Sequence, residues 1–430
     1  MKIHTIRGLG KVLFNIRVKL TVFVYFLPEL LRGKISLSHF YRFLRRLLFF
    51  MKAMQHNKFV CIGGRSRIDL YVPGFPSSAF YSSCRKFMTF NEKLPCTTVL
   101  MSVTAGCIFK CKHCYQKFDR LAGADVDIDK LVDVARWLQD RGVAFFNIEG
   151  GEPFMAYKRL KKLCMAIDDR SEIWINSTGY QISVERLKEL KKLGVNAVMF
   201  SLHSPEPEEL NIFMGNENAW DIMTKGVASC HAADMPVALN SCLLKNDYSN
   251  GRFEQVMEHA LKLGAVIVQL IKPKPAGGWL ESGADRFSDQ DLDFVKTKIN
   301  LYNNSPSHRH YPAISAQIIE EDKAVFGCTA GGTDRFYINS KGDVQPCEFL
   351  NISFGNIASD DFAEIYGTMR QVFAKPGTSW LCEHYSGDIL KLFRESNAKA
   401  LPLSPELSKK VYEDWQHGVQ TELYKRLAQM

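Results

Sequence analysis

The chain has 430 residues, enough for one large domain with attachments or for two domains, and its 46% hydrophobic content is that of an ordinary globular protein. Twelve cysteines are many, but no cleavable secretory signal is read ahead of them, so a reducing cytosol is expected rather than a disulfide framework. The net charge of +9 belongs to the N-terminus: residues 1–54 hold eleven Lys or Arg against one acid, Glu29, which leaves the rest of the chain at −1.

Residues 1–95 form a basic amphipathic extension. From Val12 to Val22 the even positions are apolar while Asn15, Arg17, Lys19 and Thr21 fill odd ones. That is a strand period, although the stretch keeps an apolar bias on a helix too. Arg17 and Lys19 interrupt the run and Pro28 closes it, short of a transmembrane length and unlike a signal peptide. Residues 37–52 predict a helix with Leu37, Phe40, Leu44, Leu47, Leu48 and Met51 on one side and Arg42, Arg45, Arg46 and Lys52 on the other. Two placements are open: peripheral on an anionic membrane surface at the inner face, or packed on the protein with the basic side in water. Nucleic acid is not expected as a partner, because bulky aliphatics interleave the basic residues. Residues 55–95 read as short strands and turns.

Cys107-Ile-Phe-Lys-Cys111-Lys-His-Cys114-Tyr115 is the strongest signal in the chain. An iron-sulfur cube takes one protein ligand per iron, so three thiolates on one short loop leave one iron open to substrate or cofactor. Zinc is the competing ligand, but no second Cys pair lies nearby to complete a tetrahedral site. Strand-like runs at 97–105, 143–149, 172–177, 196–202, 236–243 and 265–271 then alternate with helical stretches near 128–141, 156–168, 183–193, 219–231, 252–263 and 288–301. Such alternation predicts a parallel α/β architecture with function at the C-terminal strand ends. The second strand ends in Glu149-Gly150-Gly151-Glu152-Pro153, a glycine turn that lets backbone approach a ligand. Asn176, Ser177 and Thr178 end the third strand, and Ser201 and His203 the fourth. Asn240 and Ser241 lie on the fifth; Gln269, Lys272 and Lys274 lie near the end of the sixth.

Beyond residue 310, Cys328, Gly342 and Cys347 frame a β-hairpin with a Lys341-Gly342 turn, and Cys382 is the one later cysteine. These thiols either hold a cluster or are buried. Helices over 362–374 and 405–428 are expected to cover the barrel. Cys61, Cys164, Cys230 and Cys242 show no ligand spacing and read as core residues.

The cysteine loop with Tyr115 behind it, followed one βα unit later by Gly-Gly-Glu-Pro, resembles the radical S-adenosylmethionine (SAM) enzymes. The Cys328–Cys347 hairpin resembles the opening of their SPASM and twitch extensions. The resemblance implies a partial (β/α)6 TIM-type barrel over 96–310 and a cluster region over 311–430. It implies that Cys107, Cys111 and Cys114 hold a 4Fe-4S cluster whose open iron binds SAM. Gly150, Gly151, Glu152 and Pro153 would meet the SAM ammonium, and Asn176, Ser177, Ser201 and Asn240 would face the cofactor. His203 stands where relatives have an acid and is read as a substrate contact or a support behind the site. Cys328, Cys347 and Cys382 would hold one auxiliary 4Fe-4S cluster of twitch type, with His384, Cys84, Cys96 or no residue as fourth ligand. Glu348 matches a catalytic acid that removes a proton from a substrate radical. The implied partners are a flavodoxin- or ferredoxin-type reductant and a peptide substrate; the basic N-terminus points instead to a lipid or a membrane-bound peptide. The implied reaction is hydrogen abstraction leading to a net oxidation or cross-link. A non-catalytic iron-sulfur module that shuttles electrons is the alternative, in which the glycine-glutamate motif would be idle.

Overall fold

The computed structural model describes residues 4–88 and 97–430. Twelve strands are present among these residues: β1 (His4–Ile6), β2 (Phe59–Ile62), β3 (Arg65–Arg67), β4 (Thr98–Ser102), β5 (Phe145–Glu149), β6 (Glu172–Ser177), β7 (Val195–Ser201), β8 (Val237–Cys242), β9 (Ile267–Ile271), β10 (Ala313–Ala316), β11 (Arg335–Ile338) and β12 (Val344–Gln345). β1 to β3 form a small antiparallel sheet. The other nine run in the order β10-β9-β8-β7-β6-β5-β4-β11-β12, parallel except for the β11–β12 hairpin. β4 to β9 are the six expected barrel strands, and the six expected helices lie between or after them. The sheet continues past residue 310, because β10 pairs in parallel with β9.

The barrel strands are buried on both sides, so they read as continuous apolar runs rather than alternating ones. In β5, Phe146 and Ile148 pack outward on helices through Leu131, Ala135, Leu160 and Leu163. Phe145 points into the lumen with Trp174, Ala197, Met199 and Ala238. The period of two therefore delivers Asn147 and Glu149, above Phe145, to the same inner face.

The floor of the lumen is closed by the N-terminal extension. Val60, Ile62 and Leu70 join Phe145, Trp174 and Val266 in one apolar cluster. Arg67 makes a buried ion pair with Glu172 at the start of β6 and lies 4.7 Å over the Trp174 ring.

The strand period over 12–22 does not become a strand. Helix α1 spans Leu9–Leu31, with Phe14, Val18, Val22 and Phe26 buried at intervals of four. Its run from Lys11 to Leu27 holds neither Gly nor Pro, and a helix satisfies every backbone group without the partner strand an extended segment would need. Helix α2, Leu37–Ala53, is capped by Ser36, whose side chain accepts from the His39 amide. Its apolar side (Phe40, Phe43, Leu47, Met51) packs against α1, so that side is not free to enter a membrane. Leu37 is exposed instead of buried. Arg46, placed by periodicity on the solvated face, is buried and donates to the Leu427 and Phe87 carbonyls.

The expected helix over 405–428 is two helices, Pro405–Tyr412 and Glu422–Gln429. Between them the chain docks on residues 378–379, where the Thr378 and Ser379 amides donate to the Val419 and His417 carbonyls. Gly418, at φ 75°, permits that approach; a Cβ there would lie 2.4 Å from Thr378 Oγ1. The last helix covers the N-terminal unit rather than the barrel, through Leu423, Tyr424 and Leu427. Among the described residues no helix is long and apolar enough to cross a membrane.

Candidate active site at the top of the barrel

One cleft at the C-terminal ends of the strands gathers Cys107, Cys111, Cys114, Gly150, Gly151, Asn176, Ser177, Ser201 and Asn240. Gln269, Lys272, Lys274 and Glu348 line it too. These residues come from seven separate stretches of sequence.

The cysteine loop is held by backbone contacts. The Lys110 and Lys112 amides donate to the Met214 and Phe213 carbonyls at 3.1 and 3.2 Å, and the Gly278 amide donates to the Cys114 carbonyl at 2.9 Å. A Cβ on Gly278 would come within 2.0 Å of the Lys112 carbonyl oxygen, so only glycine lets this turn back the loop so closely. His113 sits among other rings. Its ring stacks on Phe213 and meets His203 edge-on at 4.5 Å, and burial pushes its pKa down to about 4. His203 accepts from the Cys242 amide at 3.1 Å and is likewise held neutral by burial. It supports the loop from behind.

The glycine turn packs on the approach to the same loop. The Gly151 and Glu152 amides donate to the Thr104 and Gly106 carbonyls, each at 2.7 Å. A Cβ on Gly151 would lie 2.3 Å from the Gly106 oxygen. Glu152 and Pro153 are buried and do not line the cleft. The Glu152 carboxylate accepts from the Thr178 amide (2.7 Å), Thr178 Oγ1 (2.5 Å), Ser177 Oγ (2.8 Å) and the Phe154 amide (3.1 Å). It fastens the end of β6 to the turn, and no lone pair is left pointing outward.

Glu149, three residues earlier, faces the cleft. It accepts from Tyr115 Oη at 2.6 Å and Asn176 Nδ2 at 3.1 Å. Burial first, then the Glu348 charge, push its pKa up to about 8, against the pull of those two donors. Buried polar atoms without a partner also cluster here: Asn147 Oδ1, Asn176 Oδ1, Gln116 Oε1 and His113 Nδ1. Each belongs to a residue lining the cleft, where a polar ligand would complete them.

A second, smaller cavity adjoins the first. Cys328, Cys347 and Cys382 line it with Glu321, Arg335 and Trp380, and Lys274 and Phe349 line both cavities. Burial raises all three thiol pKa values, that of Cys382 to about 12. Metal binding would have to draw those protons off. Arg335 supplies the neutralising charge, pairing with Glu321 at 2.6 Å and lying 3.8 Å from Glu348, which accepts from Cys347 Sγ at 3.1 Å. Of the three suggested fourth ligands, Cys84 lies in the N-terminal core and His384 lines a different cleft. Cys96 lies outside the described residues. Among the described residues no three Cys, His, Asp or Glu converge as around a single ion. A cube with one thiolate per iron asks for ligands spread around a cavity, as both sets are.

Sequence reasoning did not reach Tyr71, Asn147 or the Gly277-Gly278 turn. Tyr71, from the extension, accepts from Gln269 at 2.7 Å inside the barrel. No local pattern marks it, whereas the Gly-Gly pair after Lys274 was a visible turn signal.

A parallel barrel that is plugged below and carries a three-thiol loop, a glycine turn and unpaired polar groups above defines an enzyme class that works with an iron-sulfur cluster and a small polar cofactor. Residues 101–260 match the radical SAM superfamily and residues 328–384 the SPASM iron-sulfur cluster-binding domain. The chain belongs to the radical SAM superfamily and carries a SPASM region. It is a radical SAM enzyme whose cofactors are a 4Fe-4S cluster, SAM and an auxiliary iron-sulfur cluster. The SPASM match covers the hairpin that the sequence likens to SPASM and twitch extensions, with Cys382 the single cysteine after that hairpin.

The chain is 23% identical over 298 residues to AdoMet-dependent heme synthase of Nitratidesulfovibrio vulgaris, covering 63% of this chain and 78% of that one. It is 22% identical over 286 residues to the sporulation killing factor maturation protein SkfB of Bacillus subtilis, covering 66% and 67%. In fold it is similar to Streptococcus suis SuiB bound to its precursor peptide SuiA, with a TM-score of 0.53, 18% identity, and 71% and 74% of the two chains covered.

Proposed function

We propose that this enzyme abstracts hydrogen from a peptide and carries the product to a net oxidation or cross-link. The observation that carries the proposal is the shared wall of the two cavities. Lys274 and Phe349 line both, and Glu348 stands between Cys347 and the cleft.

Cys107, Cys111 and Cys114 would hold the catalytic cluster, and Cys328, Cys347 and Cys382 the auxiliary one. When bound, these groups and SAM supply a 5′-deoxyadenosyl radical and an electron acceptor beside the substrate. The chain does the positioning. Asn147, Asn176 and the Gly150-Gly151 backbone offer polar contacts to SAM, Ser177, Ser201 and Asn240 complete the rim, and Glu149, held neutral, can donate as well as accept. Glu348 takes the proton that a substrate radical sheds on losing its electron, and Arg335 stabilises the carboxylate ready for it.

Relatives named for heme synthesis and for peptide maturation and cyclisation both match this chain. A macrocycle bearing several carboxylates needs cations. Among the described residues, Lys272 and Lys274 are the Lys or Arg side chains lining the cleft, and both donate to Glu383 at 2.8 Å. That engagement favours a peptide.

The test is anaerobic reconstitution with SAM and dithionite in the presence of a fully deuterated peptide digest from the producing organism. Deuterium should appear in 5′-deoxyadenosine, and none in the Cys111→Ala variant. Deuterium transfer from a deuterated porphyrin but not from the peptides would overturn the peptide reading.

A further inference from the structure

We propose that the outer face of α1 seats the enzyme on an anionic lipid bilayer, lying in the plane of the surface. The helix carries apolar residues on two opposite sides, with charged ones between them. Its inner stripe, Phe14, Val18, Val22 and Phe26, is buried against α2 and the segment around Phe75. Its outer stripe faces water: Leu9 is 82% exposed, Leu13 67%, Leu20 63%, Val24 65% and Leu31 76%, with Ile16 among them. Leu37 and Tyr41 of α2 are exposed as well. An exposed apolar stripe of this length, rimmed by charged residues, marks an interface.

Charge decides the occupant. Arg17 and Lys19 are exposed and flank the outer stripe on its two sides, and Arg32, Lys34, Arg45 and Lys52 are exposed nearby. The one acid of residues 1–54, Glu29, is paired with Arg85 at 2.5 Å. Long basic side chains beside an apolar stripe can bury their stems and raise their charges to phosphate headgroups. A second copy of the chain would bring the same positive rims together, which disfavours a self-paired interface on this face. The helix cannot cross the bilayer, because its inner stripe is already committed to the protein.

This surface differs from the one that periodicity suggested. The apolar side of α2 is buried, and the free apolar surface is the side of α1 turned away from it. A substrate reached at the membrane, such as a lipid-attached or membrane-inserted peptide, fits such a seat.

The test uses the full chain, purified anaerobically, and co-sedimentation with vesicles of phosphatidylcholine alone or with 30% phosphatidylglycerol. Binding should require phosphatidylglycerol and weaken between 0.1 and 0.5 M salt. Replacing Leu13→Glu and Leu20→Glu together should reduce it roughly 100-fold, from the loss of two buried leucines, with the melting temperature unchanged. Lys19→Glu with Lys34→Glu should reduce it about tenfold or more. Equal recovery in the supernatant with both vesicle types would overturn the proposal. So would a concentration-dependent dimer that the leucine variant dissolves, since the stripe would then be covered by a second copy.

Discussion

At the scale of single residues, the direction a side chain takes decides what it can bind. Cys107, Cys111 and Cys114 had to share one loop and do share one cleft. Glu152 sits in the Gly-Gly-Glu-Pro turn, yet its carboxylate is consumed by Ser177, Thr178 and Phe154. The acid facing the cleft is Glu149, which ends β5 on the lumen side. Replacing Glu152→Gln places an amide donor against the Thr178 amide or hydroxyl. The expected cost is about 1–3 kcal/mol of stability, read as a lower urea midpoint, together with weaker SAM binding as β6 loosens from the turn. An unchanged midpoint would show that the carboxylate does not fasten these elements. Tyr71 and Asn147 escaped notice because what marks them is a position inside a closed barrel, which no local pattern encodes.

At the scale of elements, the six barrel strands and their helices were legible because short apolar runs alternate with amphipathic helical stretches between turn signals. The errors fall where tertiary contacts outvote local pattern. Residues 12–22 alternate like a strand but bury a four-residue repeat as α1. Residues 405–428 carry a helical pattern but are split by a segment docked on 378–379. The stretch leading into β2 makes a further point through Lys58, whose ammonium donates to the His308, Tyr311 and Pro312 carbonyls with no acid beside it. Burial lowers its pKa from 10.5 to about 7. The folded state therefore sheds a proton that the unfolded chain retains between those values, so this contribution to stability is full above pH 10.5 and declines as pH falls toward 7. Urea unfolding at pH 7 and 9 should show a rise with pH that is smaller in Lys58→Met. An identical rise in both would place the titration elsewhere.

At the scale of the whole molecule, three parts of the chain meet around one cleft. The N-terminal extension plugs the barrel floor and sends Tyr71 inside, the barrel supplies the cysteine loop and glycine turn, and the SPASM region adds β11 to the β4 edge of the sheet. Gln116, next to the loop, donates to Tyr337 of β11 at 2.7 Å, so the catalytic loop and the hairpin leading to Cys347 are tied directly. We propose that Cys107, Cys111 and Cys114 hold a cluster with one iron left for SAM. Removing Cys328, Cys347 and Cys382 as alanines isolates that loop. The EPR spectrum of this variant, reconstituted and reduced anaerobically, should show a single 4Fe-4S signal that shifts when SAM is added, and the signal should vanish when Cys107, Cys111 and Cys114 are also replaced. A signal indifferent to SAM, or one that outlasts the loss of those three thiols, would contradict the account.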